Sequence, residues 1–105
     1  MLEDRRSFFR FNAIVPISFA DPDNGLKGEG ETHDISAKGI GFFTENEIVP
    51  RTTLDIWLKV PDRDEGIYAK GAVIWSRQVE PDRYRVGVEL EKVDFISLSH
   101  VLHLA

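Results

Sequence analysis

Two groups of residues have the types and spacing to do chemistry. Asp34, Ser36 and Gly39 stand as D-x-S-x-x-G in Asp34-Ile35-Ser36-Ala37-Lys38-Gly39, and Arg6 and Arg10 stand as R-x-x-x-R with Arg5 beside them. Asp and Ser side chains are short enough to bond nearby backbone, which makes them turn residues and poor strand residues. Gly39 permits a positive φ and leaves backbone uncovered, so another molecule can approach closely. One reading of the stretch is an ordinary hairpin corner. The other is a recognition surface that presents a carboxylate, a hydroxyl and bare backbone N–H groups. An arginine can grip the O6/N7 edge of a guanine with two parallel bonds, stack on a flat ring or clamp a phosphate. Arg6 and Arg10 point the same way in an extended chain, about 13 Å apart at ~3.3 Å per residue.

The elements that position these residues are strands. Asn12 to Ala20 alternates through Val15, Ile17 and Phe19, and Pro16 within it indicates an edge position or a bulge. Asn24-Gly25 is a hairpin signal between this strand and a polar one from Glu29 to Ser36. Gly39 to Glu45 follows, then Thr52 to Val60, where Leu54, Ile56 and Leu58 alternate cleanly with Asp55, Trp57 and Lys59. Pro61 to Gly66 reads as a charged turn, and Ile67 to Val79 as a long strand with a kink at Gly71. Tyr84, Val86, Val88 and Leu90 mark the sixth strand. From Val93 to Leu104 the period changes: Phe95, Leu98 and Leu102 share a helical face. The expected fold is therefore all-β, a six-stranded antiparallel barrel over residues 12–91. A flexible arginine arm at 1–11 precedes it and a short C-terminal α-helix at 93–104 follows, all as one domain.

Composition narrows the function. The formal net charge of −5 argues against general nucleic-acid binding. That charge is uneven, because residues 1–11 carry a local balance of +1 and the remainder −6. No apolar run approaches bilayer-spanning length, no signal-peptide pattern opens the chain, and cysteine is absent, which together fit a cytoplasmic setting.

The arginine motif and the Asp34/Ser36/Gly39 motif occur in this order, followed by Gly71-Ala72-Val73-Ile74-Trp75 and Val86-Gly87-Val88-Glu89-Leu90. That combination resembles the PilZ domain family over nearly the whole chain. The resemblance implies a six-stranded β-barrel that serves as a bacterial receptor for the second messenger cyclic di-GMP and acts in signal transduction. Carried over, it makes Arg6 and Arg10 the paired arginines, Arg5 an assisting one, and Asp34, Ser36 and Gly39 the second ligand-binding motif. Trp75 is a further candidate, as an indole flanking a guanine or as a barrel-wall aromatic. The chemistry is complementary. Arginines suit the acceptors of guanine and phosphate, Asp34 suits the donors on guanine's opposite edge, and Gly39 admits the ligand to the backbone.

Other functions find less support. His33 is lone, and His100 with His103 at i, i+3 falls short of the three or four ligands that zinc takes. Asp62, Asp64 and Glu65 lack the alternating ligands of a calcium loop. No enzymatic site, metal or cofactor is expected. Two alternatives stay open: a PilZ-like module that binds an unidentified protein partner, and a small single-stranded nucleic-acid-binding barrel that uses Trp57 and Trp75.

Overall fold

The computed structural model describes residues 14–36, 38–60 and 63–93, with backbone alone for 63–65. Arg5, Arg6 and Arg10 and the span 94–104 of the expected helix lie outside the described residues. Six strands are present: β1 (Pro16–Ala20), β2 (Lys27–Ile35), β3 (Gly39–Thr44), β4 (Thr53–Val60), β5 (Arg63–Glu80) and β6 (Arg83–Val93). All pairings are antiparallel, and they close into a barrel in the order β1-β2-β3-β6-β5-β4. Among the described residues the fold is thus the six-stranded β-barrel that the alternation predicts.

The period-two residues form the core. Ile17 and Phe19, Ile40 and Phe42, Leu54, Ile56 and Leu58, Ile67 and Val73, and Val86 and Val88 all point inward and are buried. The Phe19 and Phe42 rings pack in the middle with centroids 5.5 Å apart. Burying one such ring is worth roughly 1.5–3 kcal/mol against leaving it exposed. Because β3 and β4 are not neighbours, the intervening residues cross an end of the barrel. Ile48 in that crossing is buried, and Arg51 N–H donates to Val73 O (2.7 Å) to tie it to β5.

Several local expectations change. Pro16 has no edge to occupy, since β1 pairs on both sides; it is the first residue of β1 and lies ahead of the β4 pairing, so its missing N–H disturbs no ladder there. Arg63 to Gly66 is strand and not turn: Val60 pairs with Arg63, and Gly66, at φ 77°, absorbs the irregularity between Leu58 and Val60. The hairpin pairing of β4 with β5 continues to its tip and overrides the turn propensity of the charged residues. Val93 ends β6, opposite Ala69, and so starts no helix; the barrel runs two residues past the expected limit at 91. Gly71 does mark an irregularity, in the β5–β6 register at Lys70/Gly71.

Candidate functional site

Two bulges build the site. Strand β2 slips register against β3 between Thr32 and Asp34. In a regular strand, side chains 32 and 34 would share a face. Here Thr32 and Ile35 point into the core, while His33 and Asp34, both half-buried, sit together on the outer surface. Strand β5 slips against β6 between Val73 and Trp75, so Ile74 and Trp75 are both exposed while Val73 stays inside.

Between these bulges runs a row of two glycines, both buried beneath neighbouring side chains. Asp34 pairs with Gly41, Gly41 with Gly87, and Gly87 with Trp75, which makes one cross-strand row on the outside of β2, β3, β6 and β5. The glycines are required by what lies over them. A Cβ on Gly41 would come within 2.5 Å of Asp34 Oδ1 and of the His33 ring, and a Cβ on Gly87 would run into the Trp75 indole. Three strand spacings of about 4.8 Å put Asp34 and Trp75 roughly 14 Å apart along the row.

Arg85, two residues from Gly87 on β6, reaches across this row. Its Nε–H donates to His33 Nε2 (3.1 Å), and its guanidinium carbon lies 5.6 Å from the Trp75 ring centroid. His33 Nδ1 lies 3.4 Å from Asp34 Oδ1. An imidazole that accepts at Nε2 is neutral and carries its proton on Nδ1, facing the carboxylate. The His33 pKa is lowered from 6.5 chiefly by burial; Asp34 pulls it up and Arg85 pushes it down. Beside this group, Arg83 lies over the Phe43 ring at 4.1 Å, and Phe43 packs against His33 with centroids 5.0 Å apart.

The corner that follows β2 is tightly tied. Ser36 N–H donates to Gly39 O (2.9 Å), and Ser36 Oγ receives the N–H groups of Lys38 (3.3 Å) and Gly39 (3.2 Å). The expected bare donors at Lys38 and Gly39 are therefore turned toward the serine hydroxyl, because a hairpin this short leaves its backbone groups within reach of it. Gly39 does not use a positive φ; among the described residues only Gly25 and Gly66 among the glycines do. Its lack of a side chain serves another purpose, since a Cβ there would stand 2.7 Å from Val88 O on β6.

Of the residues singled out in the sequence, Asp34, Ser36, Gly39 and Trp75 are described, and Asp34 and Trp75 share the glycine row. His33, Gly41, Arg85 and Gly87 were not singled out as site residues. The signal for the glycines was present, since glycine inside a strand marks close approach. Nothing local marks His33 and Arg85, which are 52 positions apart and meet only through β3 and the bulge. Trp57 lies elsewhere: it packs on Tyr68 (5.9 Å), seven positions along β5 from Trp75. The two tryptophans form no continuous stacking track. No helix of the described residues is long and apolar enough to cross a membrane.

The fold and this site define a small six-stranded β-barrel domain of recognisable type. The PilZ domain model matches residues 4–105, and the chain belongs to the PilZ domain family. Among solved structures it is similar to the inhibitor of motility MotI/DgrA of Bacillus subtilis (TM-score 0.73, 14% identity), covering 97% of this chain and 50% of that one. It is similar too to the PilZ domain of YcgR from Escherichia coli with c-di-GMP (TM-score 0.68, 14% identity, 96% and 88% covered). A third is the PilZ domain of CeSA from a cellulose-synthesizing bacterium (TM-score 0.57, 15% identity, 90% of each chain). The chain thus spans half the length of MotI/DgrA and most of the other two. No curated protein matches the sequence.

Proposed function

We propose that this chain is a receptor module for cyclic di-GMP, holding the dinucleotide between the arginine arm (Arg5, Arg6, Arg10) and the outer barrel surface around Asp34, Ser36, Gly39 and Trp75. The observation that carries this reading is the row Asp34–Gly41–Gly87–Trp75, whose two glycines let a carboxylate and an indole, rooted about three strands apart, fold toward each other on one outer face. A flat purine suits stacking on the exposed indole, and its N–H edge suits Asp34. Family membership and the structure of the YcgR PilZ domain with c-di-GMP support the choice of ligand.

The arm can reach. Thr32 N–H donates to Val15 O (3.0 Å) and Thr32 Oγ1 accepts from Val15 N–H (2.8 Å), which pins the chain two residues from Asp34. Arg10 stands five positions before Val15, a span of at most about 18 Å. In this proposal the arm closes over the bound ligand and the closed form is what a protein partner reads, so the chain transmits a signal and catalyses nothing. Isothermal titration with cyclic di-GMP is the test. Saturable binding near one or two equivalents is expected, and no heat at high ligand concentration would refute the function. Amide exchange of residues 1–11 should slow on binding; unchanged exchange would remove the closing step.

A further inference from the structure

The arginines of the sequence motif all lie on the arm, but the barrel brings a further one to the site. We propose that Arg85 is a ligand-binding residue, held ready by His33 to take the O6/N7 edge of the same guanine whose N–H edge Asp34 accepts. This inference rests on the cyclic di-GMP reading above and assigns a residue that neither motif contains.

The geometry carries it in three parts. First, among the described residues Arg85 hydrogen-bonds through Nε alone: that N–H goes to His33 Nε2 at 3.1 Å. Its two Nη groups, the edge that makes paired bonds to a guanine, hold no hydrogen bond among the described residues. Second, His33 stands between a donor and an acceptor, with Arg85 on one nitrogen and Asp34 Oδ1 3.4 Å from the other. The guanidinium and the carboxylate therefore stand on opposite sides of one imidazole, each within 3.4 Å of a ring nitrogen. Guanine places its acceptor O6 directly beside its donor N1–H, so one base can satisfy both groups. Third, the His33 ring and the Asp34 carboxylate fold over Gly41 and the Trp75 indole folds over Gly87, so the two glycines let these groups lie flat against the barrel and share one outer face. A base on that face meets the exposed indole together with the guanidinium and the carboxylate.

A phosphate is the weaker fit, since it would sit beside Asp34 and repel it. The roles then divide. Arg85 and Asp34 read one guanine, and the arm arginines are left for phosphates and the second base. His33 is a positioning residue: it aims the guanidinium without touching ligand, and it does so only while neutral, because a protonated ring has no lone pair for Arg85 Nε–H.

The experiment is titration of cyclic di-GMP and cyclic di-AMP into the wild-type chain and into Arg85→Ala, Arg85→Lys, His33→Gln and Arg6→Ala, with thermal melts to check folding. Arg85→Ala and Arg85→Lys should each weaken cyclic di-GMP binding by roughly tenfold or more and narrow its margin over cyclic di-AMP, because the fork that reads O6 and N7 is gone. His33→Gln should weaken binding less than Arg85→Ala does. The Arg85 Nε–H resonance, assigned by its absence in Arg85→Lys, should shift on ligand addition. If the wild type and Arg6→Ala bind while the Arg85 variants match wild-type affinity, the inference falls and the receptor reading stands. A loss equal for both dinucleotides would mean a phosphate contact and would overturn the base-edge assignment. If the folded wild type binds neither nucleotide, both fall together.

Discussion

Replacing Gly39 by alanine separates what the second motif does for the barrel from what it does for a ligand. A Cβ at this position would stand 2.7 Å from Val88 O, against 3.4 Å for ordinary contact, a shortfall of about 0.7 Å. The obstacle is a backbone carbonyl in the middle of β6, whose strand is paired on both sides, so no side-chain rotation relieves it. Strand β3 must lift from β6 at its first residue. The bonds beside the contact are Leu90 N–H to Lys38 O (2.8 Å) and Ser36 N–H to Gly39 O (2.9 Å). Weakening both costs about 1–3 kcal/mol at ~0.5–1.5 kcal/mol each. Alanine restores about 0.4–1 kcal/mol by restricting the unfolded chain, since no positive φ forbids it here. The net is a loss of about 0–2.6 kcal/mol, centred on ~1.3 kcal/mol. At ~4–8 °C per kcal/mol for a domain near this size, that central value lowers the melting temperature of the ligand-free protein by about 5–10 °C. Calorimetric or circular-dichroism melting without nucleotide measures it. A midpoint within ~1 °C of wild type would show that β3 and β6 yield freely and that Gly39 has no packing role.

Three further outcomes are expected. Arg6→Ala and Arg10→Ala should each weaken cyclic di-GMP binding by about 1–3 kcal/mol while the far-ultraviolet spectrum of the barrel stays the same; wild-type affinity in both would place the ligand elsewhere. Cyclic di-AMP should bind the wild type clearly more weakly than cyclic di-GMP, because adenine puts an N6 donor where guanine has O6, and equal affinities in calorimetry would contradict the arginine readout. Stability should depend on pH through His33, whose pKa is lowered from 6.5 on folding. Between the lowered value and 6.5 the unfolded chain binds more protons, so this contribution is complete above about 6.5 and is lost as pH falls through the folded pKa. Urea midpoints at pH 7.5 and 5.5 should differ less in His33→Gln than in the wild type, and identical differences would show that the imidazole is indifferent to folding.

The sequence by itself determined the inside of this protein. Alternation at Leu54, Ile56, Leu58 and at Val86, Val88 is a local property with a period of two, and burial follows from it directly. The turn at Asn24-Gly25 was legible for the same reason: Gly25 adopts φ 76°, and its N–H donates to Asp21 O at 2.9 Å. The motif residues Asp34, Ser36 and Gly39 were legible as a pattern, but their local chemistry was not. Whether Ser36 Oγ faces outward or ties the hairpin, and whether Gly39 serves φ or close packing, depends on where β6 runs.

Only the tertiary structure decided the outside. Two single-residue bulges turn His33 and Asp34 to one surface and expose Ile74 with Trp75, and a register slip leaves no mark in hydrophobic periodicity. Barrel closure then sets Gly41 against Gly87 and carries Arg85 to His33 across 52 residues of chain. Burial depends on each residue's own polarity, which is written in its type. A binding surface depends on which distant strands become neighbours, and that is settled by pairing over the whole sheet.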